Sequence, residues 1–573
     1  MGAALVFAGC SKTAEQSANP YRKVVDYKPS TFTVSVPGTL TDVNADWISM
    51  TQNGSTASFT TKLNTTGLIR RAEYPIQGGG TLVVSQKSGE LDAVINLSLA
   101  SFGDDFATMN VEISSSNLDD YASWGILYSK KKELSGAKKQ TAASMFSAGS
   151  NKITLSDLEP NTQYFIWGWV ESLEGMQVVS DAFGFLKPTV VPAGGDLQAA
   201  IDSAPADSEV RVEGGAVFAG GICLKADVTV SGGWNSSFTE QSADNKSIID
   251  GGNAINCVFV GFNPDTKTKT PLESPATITN FEIRNGYADE IVNKGGGFYV
   301  CGDVVIDNCY IHDNVSTSRG GALLTAEDVD GTCVIKNCVI KNNMSTGHHA
   351  GAICFDGSKN RVAYVINNLM EGNFAKRFTG YCGTLMIYNP GTIYVINNTI
   401  IGNKNYDDGP DDPWFTIQTR RDISLFMVNN IVAGNLSALQ EDPDNFYRQE
   451  FQAKLDCISE EDGVTLRSET VVRNNIIEGG IYGDYYEVPG GDTKNMPLST
   501  DLYKGNNIIP VCGFDLKTIF KNPAGGDYTP VGDALKGDYS DDVAAIMKNY
   551  GKDLLGNNRV VDGKINMGCY QVQ

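Results

Sequence analysis

The sequence predicts an all-β protein of 573 residues. Two N-terminal β-sandwich modules should precede a long stack of parallel coils that begins with a short capping helix. Three observations carry this prediction. An Asn-centred unit of about thirty residues recurs from residue 276 to residue 480, and a period this short means one supersecondary unit per repeat. Short β-branched runs punctuated by Asn and Gly fill each unit, so the units are coils of strands rather than helix pairs. Upstream, the chain alternates apolar and polar residues between turn signals, as the strands of a sandwich do.

The repeat can be followed residue by residue. Ile278-Thr279-Asn280-Phe281-Glu282-Ile283 recurs as Ile306-Asp307-Asn308-Cys309-Tyr310-Ile311, then as Ile335-Lys336-Asn337-Cys338-Val339-Ile340 and Ile366-Asn367-Asn368-Leu369-Met370. Later copies centre on Asn397, Asn429 and Asn474. Six residues after each key Asn stands a second turn residue: Gly286, Asn314, Asn343, Asn373, Asn403, Asn435 and Gly480. Asn tolerates the left-handed backbone region and suits a sharp corner. Stacking should set each Asn above the next, with the amides in a ladder. Ile283, Ile311, Ile340, Met370, Ile400, Val432 and Ile477 share one register and should fill the tube. A third strand follows Gly296-Gly297, Gly320-Gly321, Ala350-Gly351 and Cys382-Gly383. Three strands and three corners per coil resemble the right-handed parallel β-helix of the pectin-lyase-like superfamily. A fold of that kind does not fix a function.

The chain carries 45 Lys and Arg against 67 Asp and Glu, a formal net charge of -22 at pH 7. That balance argues against nucleic acid, whose phosphates need clustered cations. No run of eighteen apolar residues occurs, so no segment reads as a membrane-spanning helix. Phe7-Ala8-Gly9-Cys10-Ser11 follows an apolar stretch and resembles a bacterial lipoprotein cleavage box. The resemblance implies a lipid on Cys10, attachment to the membrane through it, and an outer-membrane, cell-surface location. The segment before Cys10 holds no Lys or Arg and is short for a signal peptide, so the natural start is expected upstream. Residues 1–24 then read as a signal remnant and a polar tether.

The other eleven Cys lie between Cys223 and Cys569. Cys309 and Cys338 share one register in successive coils, about 4.8 Å apart. A reduced, buried stack is expected there, with a disulfide as the alternative. No Cys pair has zinc spacing.

Within residues 25–90, Asn44-Ala45-Asp46-Trp47-Ile48, Asn64, Arg70-Arg71-Ala72 and the run from Thr81 to Gly89 resemble a BACON domain. That family is an immunoglobulin-like sandwich found in outer-membrane glycan-utilisation proteins. Trp47 is expected in its core rather than at a sugar platform. In residues 91–188, the run from Leu155 to Tyr164 precedes the strand Phe165 to Val170, and Trp124 to Tyr128 reads as an earlier strand. This resembles a fibronectin type III-like module. The β-helix is assigned to residues 189–573. Asp196 to Asp202 reads as a short amphipathic helix with Asp196 as N-cap, placed to plug the open end of the stack. Val228 to Trp234, Phe238 to Glu240 and Ile248 to Gly252 resemble the opening coils of bacterial surface β-helix proteins. Asn522-Pro523, Gly526-Asp527-Tyr528, Asp553, Gly556, Arg559 and the run Ile565 to Tyr570 resemble the closing segment of choice-of-anchor β-helix proteins. Those proteins usually have Asp, Ala and Glu where this chain has Asn566, Cys569 and Gln571.

In pectin-lyase-like enzymes the substrate lies along the glycine-pair strand and the loops that lead into it. The resemblance therefore points to the loops with Arg319, His348, His349, Lys376, Arg377, Tyr381, Asp408 and Trp414, the candidate ligand-binding residues. Cations beside carboxylates and aromatic rings suit an acidic sugar. A lyase needs a base and a carboxylate neutraliser; Lys376 or His348 and Arg377 or Arg319 are candidates. A hydrolase needs paired carboxylates; Asp408 with Asp411 or Asp412 are candidates. Against catalysis, Phe298-Tyr299-Val300, Ala322-Leu323-Leu324, Ala352-Ile353-Cys354 and Leu385-Met386-Ile387 carry no acid or base. The Asn-Thr-Asp, Gly-His-Gly and Arg-Ile-Lys set of polygalacturonases is also missing, so no catalytic residue is assigned. No cofactor is expected. Ca2+ near Asp407, Asp408, Asp411 and Asp412 is the alternative, although the cluster lacks EF-hand spacing. Residues 436–469 form an acidic insertion with Phe446-Tyr447-Arg448, read as a lid, a docking loop or a decoration.

The functional expectation is a cell-envelope lipoprotein whose β-helix binds a glycan or host-surface ligand, a polysaccharide or glycoconjugate, without catalysis. One alternative is a polysaccharide lyase, or a glycoside hydrolase, acting on an acidic polysaccharide. Another is a structural or accessory subunit of an outer-membrane nutrient importer.

Overall fold

The computed structural model describes residues 21–573 apart from 90, 104, 117, 119–120, 145, 147–148, 290–294, 358–359, 377–381, 389–390, 408–414, 420–421, 440–441, 450–451, 456–469, 483–484, 488–492 and 496–504. The chain divides after Pro188 into two compact units.

The first unit holds two sandwiches. Arg22–Val25, Thr81–Gln86 and Arg70–Pro75 form one three-stranded sheet, and Ser30–Ser35, Thr56–Thr61 and Ile48–Asn53 form another. Phe59, Tyr74, Leu82 and Trp47 belong to one buried cluster there. The second sandwich has a three-stranded sheet and a five-stranded sheet between Val94 and Lys187. The Tyr164 hydroxyl accepts a hydrogen bond from the Glu159 amide at 3.0 Å, which ties the strand Thr162–Ser172 to the turn before it. The fully buried Glu174 carboxylate of this sandwich takes Arg22 at 2.9 Å and Arg71 at 3.3 Å from the first. Two cations on one buried carboxylate compensate for its desolvation and clamp the modules together.

The second unit is a right-handed parallel β-helix. Among the described residues, sheet 1 has ten strands, from Thr189–Val191 to Val471–Arg473. Sheet 2 has nine, from Val217–Ala219 to Ile476–Ile477. Sheet 3 has seven, from Tyr287–Ala288 to Tyr447–Arg448. Sheet 4 has nine, from Ile222–Leu224 to Ile481–Tyr482. The expected three strands per coil are thus corrected to four. The additional strand is that of sheet 3, typically two residues such as Val315–Ser316 or Met344–Ser345. Two residues are too few to show an alternation in the sequence.

The expected interior register is present. Ile283, Ile311, Ile340, Met370, Ile400, Val432 and Ile477 all lie in the continuous core. Two corners of each coil, between sheets 1 and 2 and between sheets 2 and 3, are tight, and each divides its work between two residues. The key Asn turns the chain: Asn280, Asn308, Asn337, Asn367, Asn397, Asn429 and Asn474 have φ between 49° and 62°. The next residue points inward and carries the ladder. Asn368, Asn398, Asn430, Asn475 and Asn507 pass amide hydrogen bonds from coil to coil at 2.9–3.0 Å. Asn314, Asn343, Asn373, Asn403 and Asn435 form a second ladder, each step 2.9 Å. The continuous ladder is therefore displaced by one residue from the key Asn, among which only isolated steps occur: Asn308 donates to Asn280 at 3.1 Å and Asn367 to Asn337 at 3.4 Å. Cys309 and Cys338 take the inward position in two coils, buried and unbridged. The Cys338 amide donates to the Asn368 side chain at 2.9 Å, which starts the first ladder.

Helix α1, Leu197–Ser203, begins at Asp196, whose carboxylate accepts from the Ala199 amide at 2.9 Å. Its Leu197 and Ile201 enter the β-helix core and cap the tube. At the other end of the chain, residues 505–573 clasp sheets 1 and 2. Helix α2, Asp541–Met547, lays Val543 and Met547 against Ile366, Ile396 and Val428. Phe520, Tyr528 and Met567 cover Leu369, Ile401 and Ile431. Buried Arg559 donates to the Asn566 carbonyl at 2.6 Å, and buried Asp553 accepts from the Gln571 amide at 2.9 Å.

Candidate functional site

The candidate face is built from sheet 3 and from the loops that run between it and sheet 4. Each sheet 3 strand follows the inward residue of a second corner, so its first residue points out and its second points in. The outward residues align from coil to coil as Tyr287, Val315, Met344, Phe374, Lys404 and Leu436. Their inward neighbours Ala288, Ser316, Ser345, Ala375, Asn405 and Ser437 are buried. Tyr287 is 36 % exposed, and Val315, Met344 and Phe374 are half-buried. The next outward position forms a parallel polar column of Thr317, Thr346 and Lys376. Their amides donate to the carbonyls of Ala288, Ser316 and Ser345 in the preceding coil, at 2.9, 2.8 and 2.7 Å. Thr346 and Lys376 are exposed.

The insertion after sheet 3 bounds this column at one end. Phe446 lies 5.8 Å from Phe374 and 6.1 Å from Tyr406, and the Lys404 ammonium sits 4.8 Å over its ring. Arg448 of the same insertion pairs with the buried Glu478 carboxylate. The described part of the insertion is thus docked on the coils.

The loops bring Arg319, His348 and His349 together, but largely with partners of their own. Arg319 donates to Asp356 at 2.5 Å and to Glu327 at 3.1 Å, and its guanidinium lies 4.8 Å over the Tyr388 ring. Burial opposes the Arg319 charge; the neighbouring Cys354, Asp356 and Glu327 outweigh it and hold the guanidinium pKa above its ordinary value. His349 is 3 % exposed and stacks on Tyr388 at 5.5 Å, with the half-buried His348 ring 5.9 Å away. Lys376 stands apart from this cluster by role, in the polar column beside Phe374. Arg377, Tyr381, Asp408, Asp411, Asp412, Trp414 and the lipidation residue Cys10 lie outside the described residues. Asp407 ends the strand Lys404–Asp407.

The glycine-pair strand, expected to carry the ligand, is covered. The outward side chains of Phe259, Tyr299, Leu324, Cys354 and Met386 are all buried in a cluster with Phe262, Val329 and Ala350. Ala350, in the loop that enters one of these strands, packs in the same cluster. A Cβ on Gly320, where φ is 61°, would lie 2.1 Å from the Leu323 carbonyl oxygen. The outward column of sheet 3 escaped the sequence reading. Its signal was present all the same: Val315, Met344 and Phe374 each follow a second-turn Asn directly. Among the described residues, no group of three or more His, Cys, Asp or Glu is placed to hold a metal ion.

No protein-family model matches the chain, and no curated protein does. Several solved structures are similar to parts of it. A family 28 exopolygalacturonase of Yersinia enterocolitica is 9% identical over 73% of this chain and 98% of its own, with a TM-score of 0.18. The pectate lyase PelI of Erwinia chrysanthemi, solved with tetragalacturonic acid, is 11% identical over 72% of this chain and 99% of its own, with a TM-score of 0.19. The chicken CNTN1 FN1-FN3 domains are 11% identical over 30% of this chain and 69% of their own, with a TM-score of 0.18. At these identities and TM-scores, none bears on site or activity.

Proposed function

We propose that the β-helix is the recognition element of a lipid-tethered envelope protein, and that it binds an extended acidic polysaccharide along its axis without cleaving it. The observation that carries this reading is the half-exposed column of Tyr287, Val315, Met344 and Phe374 beside Thr317, Thr346 and Lys376. Coils rise about 4.8 Å each, close to the length of one sugar residue. In the coils of Val315, Met344 and Phe374, successive sugars then meet one apolar side chain and one polar side chain per coil. The apolar column takes the C–H face of each ring, and the polar column takes hydroxyl and carboxylate groups. Binding is favoured over cleavage because Arg319, Asp356 and Glu327 engage one another and His349 is stacked on Tyr388. A lipid on Cys10 would hold the protein at the outer membrane. A glycan array with mass analysis of each bound glycan tests the reading. Retention of an intact acidic glycan supports it. Unsaturated or hydrolysed products replace it with a lyase or hydrolase. A captured protein partner and no glycan replace it with an importer subunit.

A further inference from the structure

Both columns of the candidate face end at one ring. In the coil after Phe374, Lys404 takes the outward position and Tyr406 the polar one. Phe446 covers both. The Lys404 ammonium lies 4.8 Å from its ring centre, and Tyr406 stacks on it at 6.1 Å and is only 9 % exposed. Phe374 meets the same ring edge-on at 5.8 Å. Lys376, beside Phe374, is exposed. Phe374 and Lys376 are therefore the last open positions of their columns.

The wall is anchored. The chain reverses in the insertion, and Tyr447–Arg448 pairs antiparallel with Leu436–Leu439. Arg448 pairs with the buried Glu478 carboxylate, which also accepts from the Gly434 and Gly513 amides at 2.7 Å each. The wall is also acidic. Asp442 and Asp444 precede Phe446 and are exposed. Burial raises the Tyr406 pKa, and the nearby Asp444 carboxylate raises it further. An acidic chain continuing past Lys376 would meet first a ring and then like charges, which repel it. The other end differs. Tyr287 is 36 % exposed, and among the described residues no ring or cation stacks on it.

We propose that the β-helix reads the end of an acidic polysaccharide chain, with Phe446 as the stop for the terminal sugar. The proposal rests on the axial column binding such a chain. It adds which part of the chain is bound. Tyr287, Val315, Met344 and Phe374, about 4.8 Å apart from coil to coil, accommodate about four sugar units before the stop. A chain held this way occupies one protein molecule per matching end, whatever its length. An internal reader would instead bind more copies as the chain lengthens.

The number of protein molecules per glycan chain therefore tests it. The probes are galacturonan, mannuronan and guluronan, each as the hexasaccharide and as the long polymer. Sedimentation of the full chain with each probe reads the stoichiometry. The expected result is one copy per hexasaccharide and one per polymer of at least one probe. Phe446→Ala with Asp444→Ala removes the stop, and several copies should then load on each polymer. Asp442→Asn with Asp444→Asn changes only exposed carboxylates and serves if the first variant does not fold. It should tighten hexasaccharide binding by about threefold at low salt. Wild-type stoichiometry that rises with polymer length overturns the proposal and leaves acidic-glycan binding standing. So does a folded variant without the stop that still loads one copy, or unchanged affinity in the carboxylate variant. Binding of none of the probes overturns this proposal together with the reading on which it rests.

Discussion

The side-chain amide of Asn397 donates to the backbone carbonyl of Asn566 at 2.7 Å, across 169 residues of chain. Asn397 also turns a corner at φ 57°. Asn367, Asn429 and Asn474 do the same for the carbonyls of Lys552, Asp538 and Lys536 at 2.7–2.9 Å. Asn serves both needs, because it accepts the left-handed region and offers an amide donor. Asn397→Gly should keep the corner and lose the donor, costing about 1 kcal/mol. Asn397→Val should lose both, costing about 2–4 kcal/mol. Urea unfolding separates the two, and equal losses would count against a dual role.

The inner ladder makes a different demand. Asn403 receives Asn373 and donates to Asn435, each at 2.9 Å and buried. Asn403→Ala leaves two buried amides short of a partner, so a loss of about 1–3 kcal/mol is expected. Lys341→Ala on the outside removes only a partly exposed pair with Glu371 at 3.0 Å, worth under about 1 kcal/mol. Matching melting temperatures for these variants would show that the ladder contributes nothing.

Much of this was legible in the sequence, and the missing parts have physical reasons. A corner residue and an inward residue leave a fixed spacing, so Asn337 and Asn343 announce two corners and Ile340 the core between them. The division of labour within a corner was not legible, because Asn367 and Asn368 look alike until one side chain points out and the other in. The Arg319–Asp356 pair was hidden for another reason. It depends on how a loop folds over the next coil, and no period in the sequence encodes that.

Acid should loosen the closing segment. Arg473 donates to Asp538 at 2.6 Å and to both oxygens of Asp542 at 2.7 and 2.8 Å. Burial would raise the Asp542 pKa, but bonds from Arg473, Ser540 and the Val543 amide bring it below the ordinary value. A carboxylate depressed in the folded state contributes stability above its unfolded pKa of about 3.9 and loses it as pH falls through the folded value. The stability gap between wild type and Arg473→Ala should therefore be full at neutral pH and shrink below about pH 4. Unfolding curves at both pH values check the sign. A gap that widens in acid would contradict it.

The tether is tested by fractionation. Expressed behind an intact signal, the protein should partition with membranes, and Cys10→Ala should move it to the soluble fraction. Persistent membrane association of that variant would assign the anchor elsewhere.

The central claim is that the outward column of sheet 3 and its polar neighbour read an acidic polysaccharide along the axis. The most direct measurement is the affinity of one acidic oligosaccharide, chosen from the array, for wild type, Met344→Ser and Lys376→Ala. Both positions are at the surface, so the fold should hold. Each change should weaken binding by roughly 1–3 kcal/mol, with the Lys376 effect growing at low salt and little change for a neutral glycan. Affinities equal to wild type in both variants, with the glycan still bound, would contradict the account and place the binding face elsewhere.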